Sequence, residues 1–504
     1  MTSNVKKTVY NLFFGIGSQI LLAAVGIIIP RLFITSFGSE VNGFLSSVNQ
    51  IFSYVVLLEA GVGTATLQAL YKPVAENDND KINGIMSATA QFYRRTGWCY
   101  LGCVLILAVV YPIAISSAIP VWQQVAVILI VGGSGSIGYF VHAKLRMLLR
   151  ADGKTYIFTN AHTLVQLGTN IIKIVMIMIG WNIVFIQLGH MLLMFALAGY
   201  IAWYTKRSYP WLNLNVKPDK EAISQKNSVL VHEISQMVFN HTDVLILTVF
   251  TNLKVVSVYV VYNMVVDIIS MLIGNVHNSF SFRLGQIFNT DKERYKRLYD
   301  VYETGYMSLS MILYCVTFIF LVPFMRLYTE GVTDANYLDP LLPVLFVVIK
   351  LLVSGRALAG ATISYAGKFK ETRVRAIIEM IINITVSLAC VNLFGIYGVL
   401  MGTIAALLYR ANDMILYASK HILFQSPWKT YSKWIIYLLA FLLIVSMSVY
   451  FVPITADGYL CLILYAAAYF VATVVVYAVV NILVFRKTTF FIIRYSLGIL
   501  RKKR

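Results

Sequence analysis

Charge is scarce in this chain. Asp, Glu, Lys and Arg make up 12% of its 504 residues, about half the share in an ordinary soluble domain. Acid is scarcer than base, 22 residues against 41, which leaves a net charge of +19. Long polar loops are missing too. The longest outer loop, about 323–340, and the longest inner one, about 204–228, are too short to hold a folded catalytic domain. There is no GxxxxGK[ST] run to cradle a nucleotide phosphate. The five cysteines (Cys99, Cys103, Cys315, Cys390 and Cys461) are odd in number and all fall inside apolar runs. No nearby His or Cys completes a metal set around Cys99 and Cys103. They read as small buried hydrophobes, and no cofactor or metal is expected.

What is present is apolar: 59% of residues are hydrophobic and the mean hydropathy is +0.75. That composition describes an all-α polytopic membrane protein. About fourteen segments are apolar enough to span: 9–33, 44–69, 96–116, 122–143, 156–179, 183–203, 229–251, 255–277, 301–322, 341–364, 375–393, 396–417, 434–452 and 459–484. Lys6 and Lys7 precede the first of these, which reads as an uncleaved span rather than a signal peptide. With the N-terminus inside, Arg31, Lys254 and Arg326 are the only cations on the outer side, and Lys173, Lys350, Arg356 and Arg410 lie within spans. The remaining Lys and Arg, with Arg375 at the edge of its span, fall on the inner side. By the positive-inside rule both termini are cytoplasmic. The basic excess therefore faces anionic inner-leaflet lipid, and nucleic acid is not expected as a partner. The tail "RKTTFFIIRYSLGILRKKR" reads as an amphipathic segment on that surface.

The chain looks duplicated. "ADGKTYIF" begins at Ala151 after the fourth span, and "YAGKFKET" begins at Tyr365 after the tenth, an offset of 214. "ITSFGSEVNGF" after span 1 pairs with "LTVFTNLKVVSVY" after span 7, and "GWNIVFIQLGH" pairs with "FGIYGVLMGT" at nearly the same offset. An offset of six spans preserves orientation, so the halves are parallel repeats, and spans 13 and 14 are additional. The expected organisation is residues 1–228 as an N-terminal bundle of spans 1–6, 229–433 as a C-terminal bundle of spans 7–12, and 434–504 as spans 13 and 14 with the basic tail. "GGSGSIG" (132–138) reads as small-residue helix packing or as a hinge.

Charged residues inside the spans carry the functional signal. Lys350 and Arg356 sit in "VLFVVIKLLVSGRALAG", about 9 Å apart along a helix axis. Lys173 lies on span 5, and Arg31 lies near the outer end of span 1. Glu59, Asp243 and Asp267 are on spans 2, 7 and 8, and each could neutralise one cation. Arg410 and Asp413, three apart on span 12, read as a structural ion pair. Glu379 lies near the inner interface and reads as solvated. For Arg31 and Lys173 two readings stay open, snorkelling to the interface or lining a cavity. For Lys350 and Arg356 the favoured setting is a water-filled cavity. No acidic cluster accompanies these mid-depth cations in the sequence, so such a cavity would suit an anion, above all a phosphate with several acceptor oxygens.

Four stretches give the chain a resemblance to a known group: "PRLFITSFGSEVNGFLSSV", "LLEAGVGTATLQAL", "HTDVLILTVFTNLKVVSVYVVYNMV" and "NLFGIYGVLMGTIAAL". In order and span position they are similar to the multidrug/oligosaccharidyl-lipid/polysaccharide flippase superfamily, and within it to the polysaccharide (O-antigen-type, Wzx-like) flippases. The resemblance implies two parallel six-helix bundles in a V plus two extra C-terminal helices. It also implies alternating access and export of undecaprenyl-diphosphate-linked oligosaccharide across a bacterial plasma membrane for cell-surface polysaccharide. Arg31 matches the family's span-1 Arg, Glu59 its span-2 acid (more often Asp) and Asp243 its span-7 Asp, whereas "FTNLK" replaces a glycine-containing turn.

The expected substrate contacts are therefore Arg31, Lys173, Lys350 and Arg356. Glu59, Asp243 and Asp267 are expected to balance charge or to couple H+ or Na+. Membrane lipids and the lipid-linked oligosaccharide are the expected partners, and no covalent catalysis is expected. One alternative is a multidrug or organic-cation antiporter, which would want an acidic cavity. The other is a membrane glycosyltransferase or polymerase acting on lipid-linked sugars, which would need a larger outer loop.

Overall fold

A computed structural model describes residues 25–59, 62–222, 241–451, 458–486 and 488–490. Those residues are helical and contain no strand. Eleven of their helices are long and apolar enough to cross a membrane, and they coincide with expected spans 3–6 and 8–14. Spans 1 and 7 are described only as α1 (Val25–Phe37) and α9 (His241–Phe250), and most of the C-terminal basic tail lies outside the described residues. Expected span 2 is not one continuous helix. It is α2 (Ser39–Val55), a 3-10 turn at Val56–Glu59, and then α3 (Val62–Glu76).

The chain forms two compact units, Met1–Ser257 and Val258–Arg504. In the first, α4 (Asn79–Ala114), α5 (Val121–Ile137) continuing through a π turn into α6 (Ala143–Ala151), α7 (Thr155–Met178) and α8 (Ile183–Ser208) follow α3. "GGSGSIG" proves to be close packing as well as a distortion. A Cβ at Gly132 would lie 2.5 Å from Val104 and one at Gly135 2.4 Å from the Tyr100 hydroxyl, so α5 can seat on α4 only with glycine there. The same segment ends in the π turn at Gly138–His142. Segment 241–257 packs on α2 through a buried polar seam. Thr248 Oγ1 donates to Ser47 Oγ at 3.0 Å, and Asn42 Nδ2 donates to Ser257 Oγ at 2.8 Å. Gly43 passes so near the Leu253 carbonyl that a Cβ would lie 1.8 Å from its oxygen.

The second unit contains α10 (Leu253–Thr290, from Val258 onward), α11 (Lys292–Tyr328), α12 (Leu341–Tyr365), α13 (Phe369–Phe394), α14 (Ile396–Tyr417), α15 (Trp428–Phe451) and α16 (Tyr459–Val484). Residues 278–300 are polar enough to read as a loop, yet they continue the helices on either side. α10 has 38 residues and α11 has 37, about 56 Å each at 1.5 Å per residue, well beyond an apolar layer of roughly 30 Å. The break between them is capped by Asp291, whose side chain accepts from the Arg294 N–H at 2.9 Å. Asp78 caps α4 in the same way, and the Lys81 N–H bonded to its carboxylate holds it below the usual carboxylate range.

The two matched turns share a local geometry. Gly153 (φ 69) and Gly367 (φ 66) both adopt the left-handed conformation, which suits glycine. In both turns the following Lys closes the same hydrogen bond, Lys154 N–H to Leu149 O at 2.8 Å and Lys368 N–H to Ile363 O at 3.1 Å.

Candidate functional site

In the second unit ion pairs join α12 to α10 and, separately, to α13 and α14. Lys350 on α12 does not stand alone. Its ammonium lies 2.5 Å from Asp267 Oδ1 and 3.3 Å from Asn263 Oδ1, both on α10. Asn263 Nδ2 in turn donates to Asp267 Oδ2 at 2.7 Å. The Lys350 side chain is 14% exposed, but the Asp267 side chain is 51% exposed.

Arg356, further along α12, pairs with Glu379 on α13. Glu379 is buried, 7% exposed, rather than solvated. Its second oxygen lies 3.3 Å from Arg410 Nε on α14. Arg410 Nη1 reaches Asp413 at 2.7 Å, and Arg375 Nη1 reaches the other Asp413 oxygen at 2.7 Å. The pair expected at Arg410 and Asp413 is thus the middle of a ladder, Arg356–Glu379–Arg410–Asp413–Arg375, with three cations to two carboxylates. The absence of acidic partners inferred for the mid-depth cations is corrected here. Asp267 is 83 positions from Lys350 and Glu379 is 23 from Arg356, separations that only tertiary packing closes.

In the first unit the expected residues lie on α1, the 3-10 turn, α7 and α9. Arg31 is half-buried on α1, and Glu59 is half-buried at the end of the 3-10 turn that interrupts span 2. Asp243 is buried on α9, beside Thr242, whose hydroxyl shares a hydrogen bond of 2.7 Å with Tyr54. Lys173 is half-buried on α7, and among the described residues no carboxylate reaches it and no hydrogen bond satisfies its ammonium. Among the described residues no group of three or more His, Cys, Asp or Glu could hold a metal ion.

A second cluster ties α15 to α11. Lys433, before the core of α15, is buried with its Nζ 2.7 Å from Asp300 Oδ1 and 2.8 Å from Glu303 Oε2, both on α11. Thr430 Oγ1 donates to Glu303 Oε1 at 2.8 Å. This cluster fastens α15 to α11. Its sequence signal is faint, because Asp300 and Lys433 look like ordinary interfacial charges.

No family model matches the chain, and no curated protein sequence does. Solved structures do. A lipid II flippase, MurJ, in an inward closed conformation superposes with a TM-score of 0.70 at 12% identity, covering 94% of this chain and 99% of that one. An inward-facing multidrug resistance MATE family transporter of the MOP superfamily gives 0.64 at 14% identity over 80% of this chain and 94% of that one. A MOP superfamily transporter from Pyrococcus furiosus, described as having a binding pocket of reversed polarity, gives 0.53 at 13% identity over 84% and 96%. The chain has the fold these proteins share.

Proposed function

We propose that the protein is a transporter that moves polyprenyl-diphosphate-linked oligosaccharides across a bacterial plasma membrane by alternating access, for cell-surface polysaccharide. The observation that carries this reading is the Lys350–Asp267 pair, with its carboxylate half-exposed near the middle of span 8. A charge presented to hydrocarbon at that depth costs several kcal/mol, so this wall is wet, and a lysine stands on it. Lys173, without a carboxylate neighbour among the described residues, and Arg31 would add to the field on the first unit. The fold shared with a lipid II flippase supports a lipid-linked cargo.

The pairing supplies a coupling step. A diphosphate offers Lys350 more acceptor oxygens than Asp267 does. As Lys350 and Arg356 turn to it, Asp267 is left to take up a proton or Na+. Glu59 and Asp243 would serve the same balance in the first unit. The exposed Asp267 also favours a second reading, organic-cation antiport, in which a cationic drug would have to displace Lys350 from its carboxylate.

Reconstitution into liposomes separates the two. A fluorescent polyprenyl-diphosphate sugar should reach the outer leaflet several-fold faster with the protein than without it, while a lipophilic organic cation should not be taken up under a proton or Na+ gradient. Cation uptake without lipid movement would replace the flippase reading with the antiport one.

A further inference from the structure

Helix α7 carries a stripe that the proposed site does not use. At 100° per residue, Thr159, His162, Gln166, Thr169, Asn170 and Lys173 fall within an arc of roughly 100°. The opposite face is apolar and open, with Leu164 70%, Ile171 60% and Met178 78% exposed, as suits lipid. A third face packs on α8, where Ile172 and Met176 lie over Gly189 and Leu193 lies against Gly168. The polar stripe therefore turns away from lipid; its edge beside α8 is buried at Thr169, while His162, Gln166, Asn170 and Lys173 are half-buried.

Its polar atoms are barely used by the protein. His162 and Gln166 meet each other at 3.5 Å, one turn apart. Asn170 and Lys173 have no side-chain hydrogen bond among the described residues. Thr169, 2% exposed, has a buried hydroxyl oxygen with no partner among the described residues. In a membrane span an unsatisfied polar group is expensive, and the half-buried Gln166, Asn170 and Lys173, along about 10 Å of axis, mark a face that meets water or a polar ligand.

The chemistry narrows the ligand. The stripe holds no carboxylate, so it does not suit a cation. It is too polar for an acyl or prenyl chain. Amides, hydroxyls and an imidazole offer donors and acceptors together, the complement of a neutral, hydroxyl-rich molecule. Phe158 stacks on His162 at 5.7 Å, adding ring surface at one end, and Lys173 adds positive charge near the other.

We infer that this face of α7 binds the sugar portion of the lipid-linked substrate, with Gln166 and Asn170 as its main specificity contacts. The inference rests on the flippase reading above. Sugars held by Gln166 and Asn170 would extend along the stripe between Lys173 and His162.

The test uses the full-length protein in liposomes and two lipids with one tail. The first is the lipid-linked oligosaccharide pool extracted from the source cells, and the second is the same pool trimmed to bare polyprenyl diphosphate. An added diphosphatase that cannot cross the bilayer reports how much of each reaches the outer leaflet. Gln166→Leu with Asn170→Leu should slow the sugar-bearing lipid about tenfold or more, as expected for two lost hydrogen bonds, and leave the bare lipid within about twofold. Gln166→Asn with Asn170→Gln, which keeps both amides, should retain at least half the rate on the sugar-bearing lipid. Movement of the bare lipid shows that the Leu variant is folded. Equal loss on both lipids, or no loss on either, overturns the role of the stripe while the flippase reading stands. A wild-type protein that moves neither lipid overturns the flippase reading and the stripe with it.

Discussion

Replacing Lys350 and Arg356 together by Ala is expected to slow flipping of a polyprenyl-diphosphate sugar about a hundredfold or more, in protein that still folds. Each cation would offer the diphosphate a charge-assisted hydrogen bond of roughly 1.5–3 kcal/mol, and a tenfold change corresponds to about 1.4 kcal/mol. The fold should survive because neither acid is abandoned in a dry interior. Asp267, with half its side chain exposed, stays solvated and keeps the Asn263 amide at 2.7 Å. Glu379 keeps Arg410 at 3.3 Å. Lys350→Arg, which retains the charge, should hold a substantial part of the rate. A double Ala variant that flips within about threefold of wild type would remove these two residues from the substrate path.

Lys433→Met should do the opposite: lower stability rather than act on the substrate path. Lys433 and Glu303 are both almost wholly buried, with side chains 4% and 3% exposed. Removing the ammonium leaves a buried carboxylate with neutral hydroxyl partners, Tyr299 and Thr430, the latter at 2.8 Å. Breaking a buried pair from one side typically costs about 3–5 kcal/mol, whereas removing both charges is often neutral or favourable. The single variant should therefore show a clearly lowered thermal unfolding midpoint in detergent and poor yield. Adding Glu303→Gln should recover much of the loss, since Asp300 is 43% exposed and can remain charged in water. Equal midpoints for wild type and Lys433→Met would show that the cluster contributes little to docking α15 on α11. Lys350 and Lys433 are each lysines paired with acid across two helices. Burial of the acid decides which substitution affects transport and which affects folding.

Much of the fold was legible in the primary structure because hydropathy is a local property. Runs such as 341–364 and 459–484 must be apolar along their whole length to span a bilayer, and the offset of 214 between "ADGKTYIF" and "YAGKFKET" reappears as two left-handed glycine turns. The cations Lys173, Lys350 and Arg356 were legible for the same reason, as charges against an apolar background. Their partners were not. Nothing local ties Lys350 to Asp267 or Arg356 to Glu379, because helix packing brings them together. Glu379, near the inner interface, reads as solvated until Arg356 of α12 and Arg410 of α14 are seen to close on it. The break at Val56–Glu59 was hidden because a 3-10 turn has the same composition as the helix it interrupts. The α7 stripe is present in the sequence at helical spacing, but hydropathy averages all faces of a helix, and the lipid-facing Leu164, Ile171 and Met178 mask it.

The central claim is that cations on a wet intramembrane wall receive a negatively charged lipid headgroup. The most direct measurement compares, in the same proteoliposomes, outward movement of two lipids that share one polyprenyl tail and one sugar but differ in the link, a diphosphate or an uncharged ether. The account predicts that the protein accelerates the diphosphate lipid at least tenfold over the ether lipid, and that Lys350→Ala with Arg356→Ala erases the difference. Equal rates for the two lipids, or a preference for the uncharged one, would contradict it.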